Sequence, residues 1–265
     1  MNRTVGILLA SIWVIAMAAL IRRDVLPFWT ANDAPCQIIA DESYQVGICN
    51  DAGQRLGTTW VTTDITPSMS TVTSTSILDM GRVSSLLPVR GHLVMKNDLV
   101  YGAGGELDRF TFQVDGPVIK ARIDGEKIVN DFACKVTIGP ITKTIVLESR
   151  QSEYLGESLR PFTRLKDLSA GQKWRLRVLD PFSILQDQAL EFKTQLATVT
   201  GRETIWHNGR DVDCFRIETD GTVAWSDDAG RVLRQEVKIP VLGRFILTDE
   251  PFDRSAFIRT SSMPR

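Results

Sequence analysis

The residues of this chain that could do chemistry are few, and their neighbours decide what each can do. There are two histidines, His92 and His207, and four cysteines, Cys36, Cys49, Cys134 and Cys214. His207 lies in WHNGRDVD beside Asp211 and Asp213, residue types that together could ligate a metal. The same stretch contains Asn208-Gly209, so a histidine on a surface hairpin turn accounts for it more simply. His92, in VRGHLVM, opens a strand-like run. A Ser-His-Asp arrangement depends on spatial adjacency rather than order, but no G-x-S-x-G elbow, H-E-x-x-H pair or Walker loop is present. The glycine-rich YGAGGELD, Tyr101 to Asp108, lacks the strand and helix that flank a dinucleotide loop, and reads as a turn.

The cysteines show no C-x-x-C spacing that would indicate zinc or redox chemistry. Cys134 in DFACKVTIG and Cys214 in VDCFRIE sit mid-strand, where a cysteine usually serves as a small buried hydrophobe or half-cystine. Cys36 and Cys49 flank a short segment, and a disulfide between them is expected if the domain is exported. The adjacent acids Asp227-Asp228, in AWSDDAGRVLRQEV, could hold a cation, but alternation on both sides and the following Ala-Gly make them a hairpin tip. Asp41-Glu42 and Asp249-Glu250 read as strand-end acids without a function. Trp60, Trp174, Trp206 and Trp225 fall on separate strands, which favours core packing, with an aromatic lipid cavity as the alternative. No catalytic, cofactor-binding or metal residue is assigned.

The elements that must position these residues are mostly strands. Short β-rich runs are separated by Asn50-Asp51-Ala52-Gly53, Asp115-Gly116-Pro117, Asp124-Gly125, Asn208-Gly209 and Asp220-Gly221. Tight hairpins favour such pairs because their loop residues must accept positive φ, so the spacing predicts an antiparallel meander. Ser152 to Trp174 departs from it. Leu155, Leu159, Phe162, Leu165 and Leu168 recur at near-helical spacing, which predicts one or two short helices broken at Pro161 and covering the inside of a curved sheet.

Composition and charge narrow the class further. Hydrophobic residues make up 43% and charged residues 24% of 265, ordinary values for a folded chain, and the net charge of −1 gives no footprint for nucleic acid. Val5 to Ile21 is uncharged and apolar, preceded by Arg3 and closed by Arg22-Arg23. At about 1.5 Å per residue it would reach roughly 26 Å, near the lower limit for a bilayer span. Ala16-Met17-Ala18 fits a signal-peptidase site, but the apolar run continues to Ile21, so an uncleaved anchor is expected. Phe28-Trp29 suits a membrane interface.

Four stretches, IRRDVLP, GICNDAGQRLG, GQKWRLRVLDPFS and AWSDDAGRVLR, carry a resemblance. Together they resemble the membrane-anchored N-terminal β region that precedes a transglutaminase-like domain in multidomain bacterial proteins. The pattern is also similar to the curved half-barrels of lipoprotein carriers and related domains of unknown function. No segment resembles the catalytic cysteine–histidine–aspartate region, so the resemblance carries over no catalytic residue.

The expected protein is therefore mainly β. A curved, half-barrel-like antiparallel sheet wraps a short helix and is preceded by an N-terminal transmembrane helix. Residues 1–23 are expected to be the anchor and 24–35 a linker. Residues 36–257 would form the extracytoplasmic (periplasmic) β domain, with a soft division near 150–172, and 258–265 a flexible tail. The expected role is a non-catalytic envelope protein at the cell membrane, binding a protein partner, peptide or lipid and no nucleic acid. The alternative is a hydrolase or acyltransferase of unrecognised type, or an accessory subunit of a transglutaminase-like or transporter system.

Overall fold

The computed structural model describes residues 3–22, 42–83, 90–104, 106–117, 120–129, 131–148, 153–157, 160–162, 164–180, 191–239 and 243–261. Helix α1 spans Arg3–Leu20. The first eight strands are β1 Ser43–Asn50, β2 Arg55–Ile65, β3 Met69–Asp79, β4 His92–Gly102, β5 Leu107–Asp115, β6 Lys120–Ile128, β7 Asp131–Ile138 and β8 Ile141–Glu148. A single helical turn, α2 Met80–Val83, joins β3 to β4. Then follow β9 Glu153–Glu157, β10 Lys173–Asp180, β11 Glu191–His207, β12 Arg210–Glu218, β13 Thr222–Ser226, β14 Val232–Ile239, β15 Gly243–Glu250 and helix α3 Arg254–Ser261.

All fifteen strands belong to one sheet, ordered β8-β7-β6-β5-β4-β3-β2-β1-β15-β14-β13-β12-β11-β10-β9. The pairings are antiparallel except β9 with β10, which is parallel. Two meanders thus meet where β1 pairs with β15, in the middle of the sheet.

The pleat sends alternate residues to opposite faces. One face carries a row of directly opposed residues: Val199, Ile217, Ala224, Gln235, Leu247, Ile48, Gly57, Leu78 and Leu93. Every side chain in it is buried, and Gln235 alone is polar. A second row, Tyr44, Val61, Ser74, Asn97, Phe112, Ile123 and Val136, continues the same face toward β7. Two pairs of buried polar residues on this face satisfy each other. Thr59 and Ser76 share a 2.7 Å hydrogen bond, and Asn97 donates to Ser74 Oγ at 3.1 Å. This is the cover a buried hydroxyl or amide requires.

The sheet is strongly curved. His207 on β11 and Asp249 on β15 lie four strand steps apart, about 19 Å on a flat sheet at ~4.8 Å per step. Their side chains nevertheless come within 3.8 Å. β11 turns at a bulge near Gly201, and β12 pairs with β13 only from Phe215 onward. The β11–β12 tip therefore overhangs its neighbours and folds toward β15.

Most turn signals lie where expected. Asn208 and Gly209 have φ of 49° and 81°, and Gly221 and Gly230 also lie at positive φ. Asp124-Gly125 does not mark a turn: both residues lie inside β6, and the chain reverses after Ile128. The glycine is there for packing, because a Cβ would stand 2.3 Å from the Phe110 ring. The helix expected within Ser152–Trp174 is absent among the described residues, which give β9 and then an irregular strap. Pro161 breaks helical hydrogen bonding, and the segment satisfies its backbone groups across the sheet instead. The tail expected from residue 258 is helical as far as Ser261. Asp253 caps α3 through the N–H groups of Ser255 and Ala256, and the rings of Phe252 and Phe257 staple its first turn.

The N-terminus also differs from expectation. α1 has 18 residues and rises about 27 Å, a few ångströms less than the ~30 Å hydrocarbon core. Among the described residues no helix is long and apolar enough to cross a membrane.

Gly125→Ala should cost about 1–3 kcal/mol by overpacking against Phe110. Urea unfolding measures it, and a loss below about 0.5 kcal/mol, the range of a neutral surface change, would contradict this packing.

Candidate functional site

The inner face of the β10–β15 half is covered by the strap, and the sequence explains each attachment. Phe162 and Leu165 are fully buried among Trp174, Leu176, Val178, Val199, Ile217, Ala224 and Val232, with the Phe162 and Trp174 rings edge to face. This burial explains the near-helical apolar spacing without a helix. Gln235, in the middle of the apolar row, uses both ends of its amide. Its Nε2 donates to the Phe162 carbonyl at 2.6 Å, and its Oε1 accepts the Phe162 N–H at 3.2 Å. The side chain thus imitates a neighbouring strand.

Two arginines complete the docking. Arg160 donates to Tyr44 Oη at 3.0 Å and stacks on the Tyr44 ring. Arg164 pairs with Glu42 at 2.5 Å. Leu165 N–H then donates to the Gly230 carbonyl at 2.8 Å, on the β13–β14 tip. That tip is the Asp227-Asp228 hairpin. Asp227 accepts the Gly230 and Arg231 N–H groups, and Asp228 pairs with Arg202 at 2.8 Å. Gly230 has φ 79°, and a Cβ there would stand 1.8 Å from the Leu165 carbonyl oxygen. The tip is a docking point for the strap. Among the described residues, no group of three or more His, Cys, Asp or Glu is arranged to hold a metal.

Beside this tip lies the cluster that the sequence reading underrated. His207 is only 7% exposed and is not on the surface. The overhanging hairpin carries it to Asp249, itself 4% exposed and held by Arg231 at 2.8 Å. Burial holds the His207 imidazole below its usual range, outweighing the pull of Asp249. Burial likewise raises the Asp249 carboxyl despite Arg231. The 3.8 Å from Nε2 to Asp249 exceeds hydrogen-bond reach, and Nε2 lies 2.9 Å from Asn208 Nδ2. His92 is exposed at the start of β4.

Neither strand cysteine has the exposed, electropositive setting of a nucleophile. Burial pushes the Cys134 and Cys214 thiols up to about 11. Cys49 is half-buried, and its expected partner Cys36 lies outside the described residues. A small cavity between strap and sheet is lined by Tyr44, Val46, Arg160, Phe162, Gln235 and Asp249. Its free volume of about 10 Å³ is at the limit for one water. Trp60, Trp174 and Trp225 are buried as expected, whereas Trp206 is exposed. Gln235, Glu42 and Asp249 were not recognised as strap and cluster residues, because nothing local in the sequence pairs them with partners up to 122 residues away.

No protein-family model and no curated protein matches the sequence. Among solved structures, a DUF1089 family protein from Pseudomonas aeruginosa is similar over 69% of this chain and 90% of its own, with 12% identity and TM-score 0.38. The hypothetical lipoprotein YmcC from Escherichia coli K12 is similar over 89% of this chain and 96% of its own, with 16% identity and TM-score 0.32. At these values neither likeness carries an argument about function.

Gln235→Leu should leave the Phe162 N–H and carbonyl buried without partners, costing about 1–3 kcal/mol. Trypsin should then cut after Arg164 and Lys166 faster than in the wild type, and an unchanged rate would show that the amide does not hold the strap. A pH series tests the cluster. A histidine whose folded pKa is depressed stabilises the fold above its unfolded pKa of about 6.5, and that stability is lost as pH falls below it. Asp249, shifted upward, contributes in the opposite sense, so the histidine is isolated by comparison with His207→Gln. Between about pH 7.5 and 5.5 the urea midpoint should fall further in the wild type than in the variant, and equal slopes would contradict the buried neutral histidine.

Proposed function

We propose that this is a non-catalytic envelope protein, attached to the membrane by α1, whose curved β domain lies outside the cytoplasm and binds a protein partner through an extended segment. The observation that carries membrane attachment is the state of α1. Residues 11–22 are all exposed, including Ile12, Trp13, Val14 and Ile15, so no described part of the chain covers them. A helix apolar on every side needs an apolar surrounding. The few ångströms by which α1 falls short can be met by local bilayer thinning and by snorkelling of the flanking arginines.

Binding of an extended segment is supported by the way the domain treats its own chain. Gln235 already receives the strap backbone as a strand would. The edge strand β8 pairs only with β7 among the described strands, leaving one row of backbone groups for an added strand. A polypeptide is favoured over a lipid because the strap cavity, with about 10 Å³ free, is too small for an acyl chain. The enzyme alternative is less favoured because, among the described residues, the buried His207 lies beyond hydrogen-bond reach of Asp249. The resemblance to regions that accompany transglutaminase-like domains agrees with an accessory role.

Full-length protein should stay with membranes through a carbonate wash, and the double change Ile12→Asp, Ile15→Asp should release it. In spheroplasts, added protease should degrade the β domain. Release of the wild type by carbonate, or protection until lysis, would overturn attachment or export respectively.

A further inference from the structure

We infer that one rim of the sheet is a second membrane contact, formed by the β2–β3, β6–β7 and β11–β12 tips and seated in the lipid headgroup region. The inference rests on the membrane attachment proposed above. The strand register places the three tips along the same rim. β2 ends at Ile65, paired with Ser70; β6 ends at Ile128, paired with Asp131; β11 ends at His207, paired with Arg210. Alternate strands run in the same direction in an antiparallel sheet, so the ends of β2, β4 and β6 lie together.

Exposed apolar side chains gather at these tips. Ile65 and Met69 are exposed at the first, Ile128 and Val129 at the second, and Trp206 at the third. Ile141 at the opposite rim, Val146 within β8 and Ile258 on α3 are exposed elsewhere. Two of the five are unusual for their positions. Trp206, on the opposite face of β11 from the buried His207, is 70% exposed, high for a tryptophan. Val129 is 90% exposed and has φ 55°, a left-handed conformation that β-branched residues rarely adopt. Glycine or asparagine would relieve this strain and suit water better. A strained, water-facing valine at a turn tip is explained if the tip meets an apolar phase.

The path of the chain selects the lipid surface as the occupant. β1, the first strand after α1, starts at this rim, where Ser43 pairs with Thr62, three residues before Ile65. An anchored α1 therefore tethers the domain by the side that carries this rim, at the high effective concentration of a tethered contact. Tryptophan and aliphatic tips are suited to the interface, where one part of a residue is apolar and another wet. Asp64, Lys127 and Arg210 beside the tips limit entry to headgroup depth.

The test uses full-length protein in phosphatidylethanolamine–phosphatidylglycerol vesicles, with and without phosphatidylcholine brominated near the headgroup. Tryptophan quenching is compared in the wild type, Trp206→Phe, the double variant Trp13→Phe, Trp29→Phe, and the triple variant that adds Trp206→Phe to it. Trp13 and Trp29 report α1 and the segment that follows it, Trp206 reports the rim, and Trp60, Trp174 and Trp225 are buried in the domain. Quenching should persist in the double variant and lose at least half of its remaining amplitude in the triple variant. Equal quenching in these two variants, or none in the double variant, overturns the rim contact and leaves the α1 anchor standing. If the double change alters nothing while Trp206→Phe lowers the quenching, the anchor fails and the rim contact stands.

Discussion

A single amide lies at the centre of this fold. A fifteen-strand sheet cannot leave its apolar face in water, and the β10–β15 half buries it under a strap of its own chain. An irregular strap brings backbone N–H and C=O groups into an apolar interior, where unpaired groups are costly. Gln235 removes that cost at the midpoint by pairing with both backbone groups of Phe162. Phe162 and Leu165 can then fill the concave side, and Trp174, Ile217 and Ala224 gain full burial. Without the amide the same row would be wholly apolar, with no means of holding an extended backbone.

The other attachments are arranged around that pairing. Gly230 lets the Leu165 carbonyl approach the β13–β14 tip, and Asp227 stabilises the turn that presents Gly230. Arg231, in the same turn, reaches across to Asp249 on β15, beside which His207 is buried. The stretch AWSDDAGRVLR therefore joins the strap, the overhanging β11–β12 hairpin and the central strand β15. Its acids and arginines serve architecture. Arg202, paired with Asp213 and Asp228 at the surface, adds little by itself because exposed ion pairs are screened.

The proposed functions follow from surfaces that the chain leaves uncovered. The described part of α1 is exposed, β8 pairs only with β7 among the described strands, and one rim gathers exposed tips. The interior is tightly occupied. Its buried thiols are unreactive, and its buried histidine is turned toward a carboxylate rather than toward solvent. These features agree with the proposed role, in which the domain is held against other surfaces.

By itself, the sequence determined what depends on short-range chemistry. Asn208-Gly209 and Asp227–Gly230 specify turns because their φ demands are local, and alternation over β5, β12 and β13 specifies strands for the same reason. The apolar run from Val5 to Ile21 specifies a helix. Tertiary structure decided whatever depends on a distant partner. Asp124-Gly125 has turn chemistry, yet β6 runs through it because the Phe110 ring occupies the space a side chain would need. Phe162 and Leu165 have helical spacing, yet Gln235, 73 residues from Phe162, and the Gly230 carbonyl offer their backbone better partners. His207 sits in a turn motif, yet sheet curvature places it beside Asp249. Periodicity is set within one strand or helical turn, whereas the closing of a curved sheet brings together side chains whose separation in sequence carries no signal.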